Sequence, residues 1–493
     1  MTDVFSVDPD GRFRTSMRAL PLVLALLCAA MVTFDAVISR AIPSQIWRIL
    51  HIENFPLKSS LTLPPLVIML WWARRFTRAI PLKHIAIAAI FVASQAGGLK
   101  IGPIDPLDVV TLLIVMAAVV KRLNNPTAGL KITSLLFFAT ALLGLNVLTL
   151  IHQPPLQHIV GAIGLMKVVL LAAVLLHLID DQKSILFAGR AVVTVALLSA
   201  SAALMQALLY FQFGIDITFI DHFGGTETHF KPTPFGMLPR TSAFNSTAQH
   251  LSSFLLIALP FALLSRDEIG RPLRKLLTVA VLLSALVSTW NFGAMFAALF
   301  ILLCYPYLRW PRYAIHIAMA MVLLVIGSYY SGLLEWLYAH SFGDAGVAKG
   351  VSQRHTLMYL GLDSLSRFPL LGEGLRGFAD VSANYWHRPV HNAYLQAATE
   401  IGLAGGLVFA VMLITKLTQL AILAHVATQD SGHVRAAFLA LLGLCLLFFS
   451  EPMLDHSNTW ILLGLSEALI IWHAARHKQS YSDLSSDHAQ APH

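Results

Sequence analysis

Long apolar runs, separated by short polar stretches, repeat from one end of the chain to the other. They fall near residues 19–38, 60–73, 84–98, 104–120, 132–151, 160–179, 191–212, 243–264, 275–290, 292–308, 313–334, 393–424, 433–450 and 457–475. A helix needs about 20 apolar residues to cross a bilayer, and these runs approach that length. They are too continuously apolar for the alternation of a membrane-barrel strand. The pattern predicts an all-α polytopic membrane protein of about 12 to 14 transmembrane helices. The range covers the uncertain cut between the two runs that flank Trp290–Gly293.

Composition supports this reading. Of 493 residues, 57% are hydrophobic and 12% charged, whereas soluble domains run at about 25% charged residues. An ordinary soluble fold is excluded. The net charge of +8 does not imply a nucleic-acid partner, because the cations sit mostly in short loops where they set topology. Arg74, Arg75 and Arg78, then Lys121 and Arg122, then Arg266, Arg271, Arg274 and Lys275, then Arg309 and Arg312, fall on every second loop. Arg435 and the tail residues Arg476 and Lys478 continue the alternation. Positive loops face the cytoplasm, so both termini are predicted there, and the loops 213–242 and 335–392 on the opposite face. Arg12, Arg14 and Arg18 precede a first run that Asp35 interrupts. With no small-residue cleavage site after it, that run reads as a retained helix and not a signal peptide. Cys28, Cys304 and Cys445 each lie inside an apolar run and read as small buried residues.

The chain is thus expected to form one membrane domain, with helices over 1–334, a long extracytoplasmic loop over 335–392 and further helices over 393–475. The polar tail 476–493 reads as a disordered cytoplasmic segment. The long loop is more than a connection. Ser352 is placed to cap a helix running to about Arg367, with Leu357, Met358, Leu360 and Leu365 as its apolar side and Pro369 as its stop. A one-sided helix on the outer face is expected to lie along the membrane surface. Gly372, Gly374 and Gly377 follow, then His387, Arg388 and His391. The next helix starts near His391 and carries Asn392, Gln396 and Glu400 as one polar stripe. Glu400 falls roughly 13 Å below the helix start, where a carboxylate must face protein or water. Interhelical bonding is the structural reading of Gln396 and Glu400.

The segment Val351–Gly406 is therefore a polar, Arg- and His-bearing island in an otherwise apolar chain. Charges are costly near lipid and tend to be kept there for work. His222, His229, His250, His355 and His387 lack tight ligand spacing, so no metal site is assigned. No Gly-rich phosphate loop with Lys-Ser/Thr is present, which argues against an ATP-driven transporter and a sugar-nucleotide enzyme on the inner face.

Within this island, Arg354, then Pro369-Leu370-Leu371-Gly372-Glu373-Gly374 with Phe378, then His391-Asn392-Ala393-Tyr394-Leu395-Gln396 and Glu400-Ile401-Gly402, form an ordered set. It resembles the signature region of the O-antigen ligase and O-antigen polymerase superfamily, and the resemblance extends over about 240–406. Arg240 to Pro260, RTSAFNSTAQHLSSFLLIALP, looks like that family's Arg-led segment entering a helix. One departure stands out. Where the family often has Ser-Arg-Gly-Ala, this chain has Ser288-Thr289-Trp290-Asn291-Phe292-Gly293-Ala294, with no arginine.

The resemblance implies a glycosyltransferase of the bacterial inner membrane that takes a glycan from an undecaprenyl-diphosphate carrier. The acceptor would be a sugar hydroxyl on lipid A-core or on another lipid-linked repeat unit, or a protein hydroxyl. Membrane lipids, and a flippase or chain-length protein, are the partners expected; no cofactor is implied. The chemistry fits the residues. A diphosphate leaving group needs cations, and arginine's planar fork matches phosphate oxygens. Arg354 and Arg240, with Arg376 and Arg388, are the candidates. Hydroxyl attack is helped by a base of near-neutral pKa, for which His391 is assigned, oriented by Asn392 or Glu400. The missing arginine tilts the reading slightly toward a polymerase, for example of an exopolysaccharide. The alternative from another class is a secondary transporter or flippase without chemistry, although no related halves of broken helices are visible.

Overall fold

The computed structural model describes residues 5–7, 13–15, 81–97, 106–124, 133–152, 156–214, 230–233, 236–245, 247–264, 272–309, 345–426 and 431–489, together with His316, Met319 and Leu323. The runs expected at 19–38 and 60–73 lie outside them, as does Cys28. Twelve α-helices account for most of the described residues. They are α1 (Leu82–Ser94), α2 (Pro106–Asn124), α3 (Ser134–His152), α4 (Leu156–Leu178), α5 (Gln182–Phe213), α6 (Ala248–Leu264), α7 (Pro272–Ser288), α8 (Phe292–Arg309), α9 (Ala345–Arg367), α10 (Ala393–Val426), α11 (Ser431–Leu447) and α12 (Ser457–Ala489). Two short antiparallel hairpins, β1–β2 (Phe5–Val7, Phe13–Thr15) and β3–β4 (Phe230–Thr233, Gly236–Pro239), and a 3-10 turn at Gly377–Asp380 complete the elements of the described residues. Among the described residues, three helical segments are long and apolar enough to cross a membrane: Gly161–Leu178, Gln182–Phe213 and Ala393–His425.

Local sequence fixes the ends of these helices. The predicted span 191–212 begins earlier, at Gln182, because Asp181 caps α5 by accepting from the Ser184 amide at 2.7 Å. Gly214, at φ 62°, closes the same helix in the left-handed conformation. The runs around Trp290 are two helices, α7 and α8, joined by a turn in which Asn291 Oδ1 accepts from the Ala294 amide. The tail read as disordered instead continues α12 to Ala489, since residues 473–489 contain no Gly or Pro to break a helix.

Helices α6 and α11 pack at the centre, with α10 on α11 and α12 on α4 around them. Small residues let these backbones approach. A Cβ on Gly464 of α12 would meet Ala172 O of α4 at 2.8 Å. At one end of the bundle, Lys83 pairs with Asp180 and Asp181. At the other end, Arg240 and Thr241 are hydrogen-bonded to residues 288–289, and Arg376 of the 369–392 segment to Asp455.

Two findings correct the expected island. Helix α9 begins at Ala345, so Ser352 lies inside it and is not its cap; the end at Arg367 agrees with the Pro369 stop. The apolar side assigned to the membrane turns partly inward. Leu357 is fully buried against Phe378 and Val390, and Leu360 packs on the same cluster.

The second concerns α10, which is interrupted at Gly402, with φ 80° and ψ 174°. The Pro369–Gly374 turn fills the break. The amides of Glu373 and Gly374 donate to Thr399 O and Glu400 O, each at 2.8 Å, and the Leu403 amide donates to Pro369 O at 2.8 Å. A side chain on Gly402 would put its Cβ 2.0 Å from Leu370 O. The glycines of the two motifs are thus required by mutual backbone contact.

Gly402→Ala is expected to lower the thermal midpoint of the purified protein sharply, because backbone strain alone costs on the order of 1–3 kcal/mol and the turn must also move. Thermal unfolding in detergent checks this; an unchanged midpoint would mean the break is not required for the fold.

Candidate functional site

The carboxylate of Glu451 organises the polar end of the bundle. It lies in the connection between α11 and α12 and is 2% exposed. Its Oε1 is 3.7 Å from Arg354 Nη2 of α9. Its Oε2 accepts from Gln249 Nε2 of α6 at 3.0 Å and stands 3.9 Å from His391 Nδ1. That last distance is too long for a hydrogen bond. His391 Nδ1 is itself buried and has no hydrogen-bond partner among the described residues.

Burial on its own would push the Glu451 carboxyl up. The His391 imidazole and the Arg354 and Arg240 guanidiniums outweigh it and hold the group below its ordinary value of 4.5. Glu451 is therefore an anion among cations. Arg240 reaches this site from the turn after β4, and its Nε donates to Thr289 O at 3.1 Å. Thr241 reinforces that docking through Ser288, backbone to backbone at 3.1 Å and hydroxyl to hydroxyl at 2.6 Å. A guanidinium thus sits against the Ser288–Ala294 turn although the turn itself carries no arginine.

The same connection holds a second cluster. Asp455 pairs with Arg376 at 3.4 Å. Arg376 is held at φ 64°, and its backbone amide is directed at the Glu400 carboxylate. Glu400 is 1% exposed and also faces Gln396, whose Oε1 accepts from the Leu454 amide at 3.3 Å. Glu400 and Gln396 therefore bind the loop before α10 and the α11–α12 connection, not the face of another helix. Next in the connection, His456 receives the Asn458 amide at Nδ1, and burial pushes its imidazole down to about 4.

The residues singled out in the sequence thus separate. Arg354 and His391 stand beside Glu451, whose carboxyl the Arg240 charge also holds down, while Arg376 pairs with Asp455 and directs its amide at Glu400. Asn392 does not orient His391. Its Oδ1 accepts from the amides of Tyr394 and Leu395, both at 3.0 Å, and so caps α10. Nor does Glu400; the carboxylate beside the imidazole is Glu451. Arg388 lies on the loop before α10, where its carbonyl accepts from Asn384 Nδ2 at 2.8 Å. Among the described residues no group of three His, Cys, Asp or Glu side chains is arranged to hold a metal ion. Of the five counted histidines, His222 and His229 lie outside the described residues.

Glu451 and Gln249 are the residues the motif reading passes over. The signal for Glu451 is the polar string Ser450-Glu451-Pro452-Met453-Leu454-Asp455-His456 between the last two apolar runs. Chemically, the arrangement offers guanidinium groups for an anion and an imidazole backed by a carboxylate. No protein-family model matches the chain, and no curated protein sequence matches it.

A carboxylate held below its ordinary value adds stability that is fully present above pH 4.5 and is lost as pH falls through the lowered value. The difference in thermal midpoint between the wild type and Glu451→Gln is expected to be largest above pH 5 and to shrink below about pH 4. Melting curves of both proteins across pH 3 to 8 check this. A constant difference would show that Glu451 is not held as an anion.

Proposed function

We propose that this chain is a polytopic membrane glycosyltransferase of the bacterial inner membrane, working at its outer face. It moves an undecaprenyl-diphosphate-linked glycan onto a sugar hydroxyl, as an O-antigen or exopolysaccharide polymerase or as an O-antigen ligase. The observation that carries this reading is the grouping of Arg354 and His391 at the buried Glu451, on whose carboxylate the Arg240 charge also acts. These three come from segments about 37 to 151 residues apart in the chain, and all belong to the resembling motifs.

In the proposed reaction the acceptor oxygen attacks the anomeric carbon of the donor, and the bond from that carbon to the diphosphate breaks. The bonding pair leaves with the diphosphate, whose charge Arg354 and Arg240 neutralise. The acceptor hydroxyl proton passes to His391. Glu451 favours the tautomer protonated at Nδ1, which leaves Nε2 as the base; a movement of about 1 Å brings Nδ1 within hydrogen-bond reach of the carboxylate. Anionic Glu451 also stabilises the imidazolium once it forms.

The transporter reading has one observation of its own. Lys416 of α10 and Glu467 of α12 form a buried ion pair inside the helical bundle, joined by Ser134 and Gln419. Ionisable pairs inside a membrane often mark transport pathways.

A deletion strain complemented with wild type, His391→Ala, Arg354→Ala or Arg354→Lys distinguishes the two, with membrane expression checked for each. Surface glycan is expected to be lost or to remain single-unit with all three variants, because a general base contributes about 10²- to 10⁴-fold to rate and lysine cannot reproduce arginine's fork. Single capped units indicate a polymerase, and full-length chains left on the carrier a ligase. Full complementation by His391→Ala and Arg354→Ala would remove the transferase reading and favour the transporter.

A further inference from the structure

Helix α9 has one side packed against the protein and, opposite it among the described residues, large exposed apolar side chains set beside polar ones. The inward face carries Leu357, Gly361 and Ser364, which meet Phe378, Val390 and Glu373. On the opposite face Tyr359 is 70% exposed and Leu362 49% exposed. The turn that follows adds Phe368 at 41% and Leu370 at 73%. These four residues are too large and too apolar to be left in water together without a reason.

Their position supplies one. Pro369 O accepts from the Leu403 amide, so this turn lies directly on the break in α10. From Leu403 a stripe of exposed apolar side chains runs down α10, through Leu407 and Val411 to Ile414 and Ile422, at helical spacing. In a helix long and apolar enough to cross a membrane, such a stripe is the side that meets lipid. The exposed face of α9 joins the upper end of that stripe. The ion pair Asp363–Arg367 flanks it, as charged side chains do at a lipid surface.

We propose that the Tyr359, Leu362, Phe368 and Leu370 face binds the lipid surface, seating α9 at the headgroup level of the bilayer that α10 crosses. The occupant is lipid and not a partner protein, because the face ends in the turn whose Pro369 carbonyl is bonded to Leu403, the first residue of the exposed apolar stripe on a helix long and apolar enough to cross a membrane. The face differs from the Leu357–Leu365 side that periodicity alone selects. Since Arg354 stands on the same helix, bilayer contact at this face also fixes how far that guanidinium reaches toward Glu451. The proposal holds whichever reaction or transport the site performs.

Single cysteines at Tyr359, Leu362, Phe368 and Leu370, in a background freed of the native cysteines, would carry an environment-sensitive fluorophore in full-length protein reconstituted into vesicles. Leu407→Cys serves as the lipid-facing reference. All four outer labels are expected to be shielded from aqueous iodide and quenched by lipids brominated near the headgroup, with Leu407 quenched best by deeper bromines. Full iodide access without bromolipid quenching would overturn the proposal and leave the face in water. Shielding from both quenchers would overturn it too, by showing protein over the face. Four positions are used so that loss of one variant through misfolding leaves the result intact. The readout needs no activity, so failure here and failure of the transferase reading are separate outcomes.

Discussion

The break in α10 is the constraint from which the polar end of the protein follows. A helix interrupted inside an apolar bundle leaves carbonyls and amides without partners, and no water is at hand to satisfy them. The Pro369–Gly374 turn supplies those partners, and nothing bulkier than glycine fits at Gly402. Filling the break pins the chain on both sides of the turn. It brings the end of α9 against α10, and it directs the Arg376 amide at Glu400. The position of Arg354 therefore depends on a backbone repair at Gly402, 11 residues along the chain from His391, and the motif glycines are best understood as structural parts of the site.

Glu451 poses the converse problem. A carboxylate taken out of water is costly unless charge and hydrogen bonds compensate it. Arg354, Arg240, His391 and Gln249 do so from four different segments. In return, the anion gives the two guanidiniums, the imidazole and the Gln249 amide a common partner. Two guanidiniums against one carboxylate leave the site with surplus positive charge, which suits a diphosphate better than a neutral sugar alone. Asp455, four residues further along, holds Arg376 in a second group. One short connection thus distributes the cations of the long loop between two places.

The apolar helices are legible in the sequence because each must hide its backbone from lipid, and the period and length of the runs record that need directly. Helix ends are less legible, since Asp181 starts α5 by a capping bond nine residues ahead of where hydropathy places the span. The break at Gly402 is invisible to hydropathy, because Leu403 and its neighbours are as apolar as any continuous span. Asn392 is misread for a physical reason: one side-chain oxygen can cap a helix or orient a base, and chain order does not say which. The convergence on Glu451 is the part furthest from sight. It depends on α11 and α12 bringing residue 451 beside a helix some hundred residues earlier, and no local spacing encodes a contact of that range.

The two buried acid–base groupings of this bundle bear differently on function. The Lys416–Glu467 pair is closed: its charges face each other, with Ser134 and Gln419 as further hydrogen-bond partners, and neither side chain reaches the surface. Buried pairs of this kind are often replaceable by well-packed apolar residues without loss of stability, so their presence is weak evidence of work. The Glu451 group is open. Arg354 is 45% exposed at its side chain, His391 Nδ1 lacks a hydrogen-bond partner, and the carboxylate is shared among more cations than it can neutralise. An arrangement that keeps cationic capacity at an accessible edge while burying its counter-ion has the chemistry to receive an anion. That asymmetry is why the end of the bundle, and not its interior, is the better place to look for chemistry.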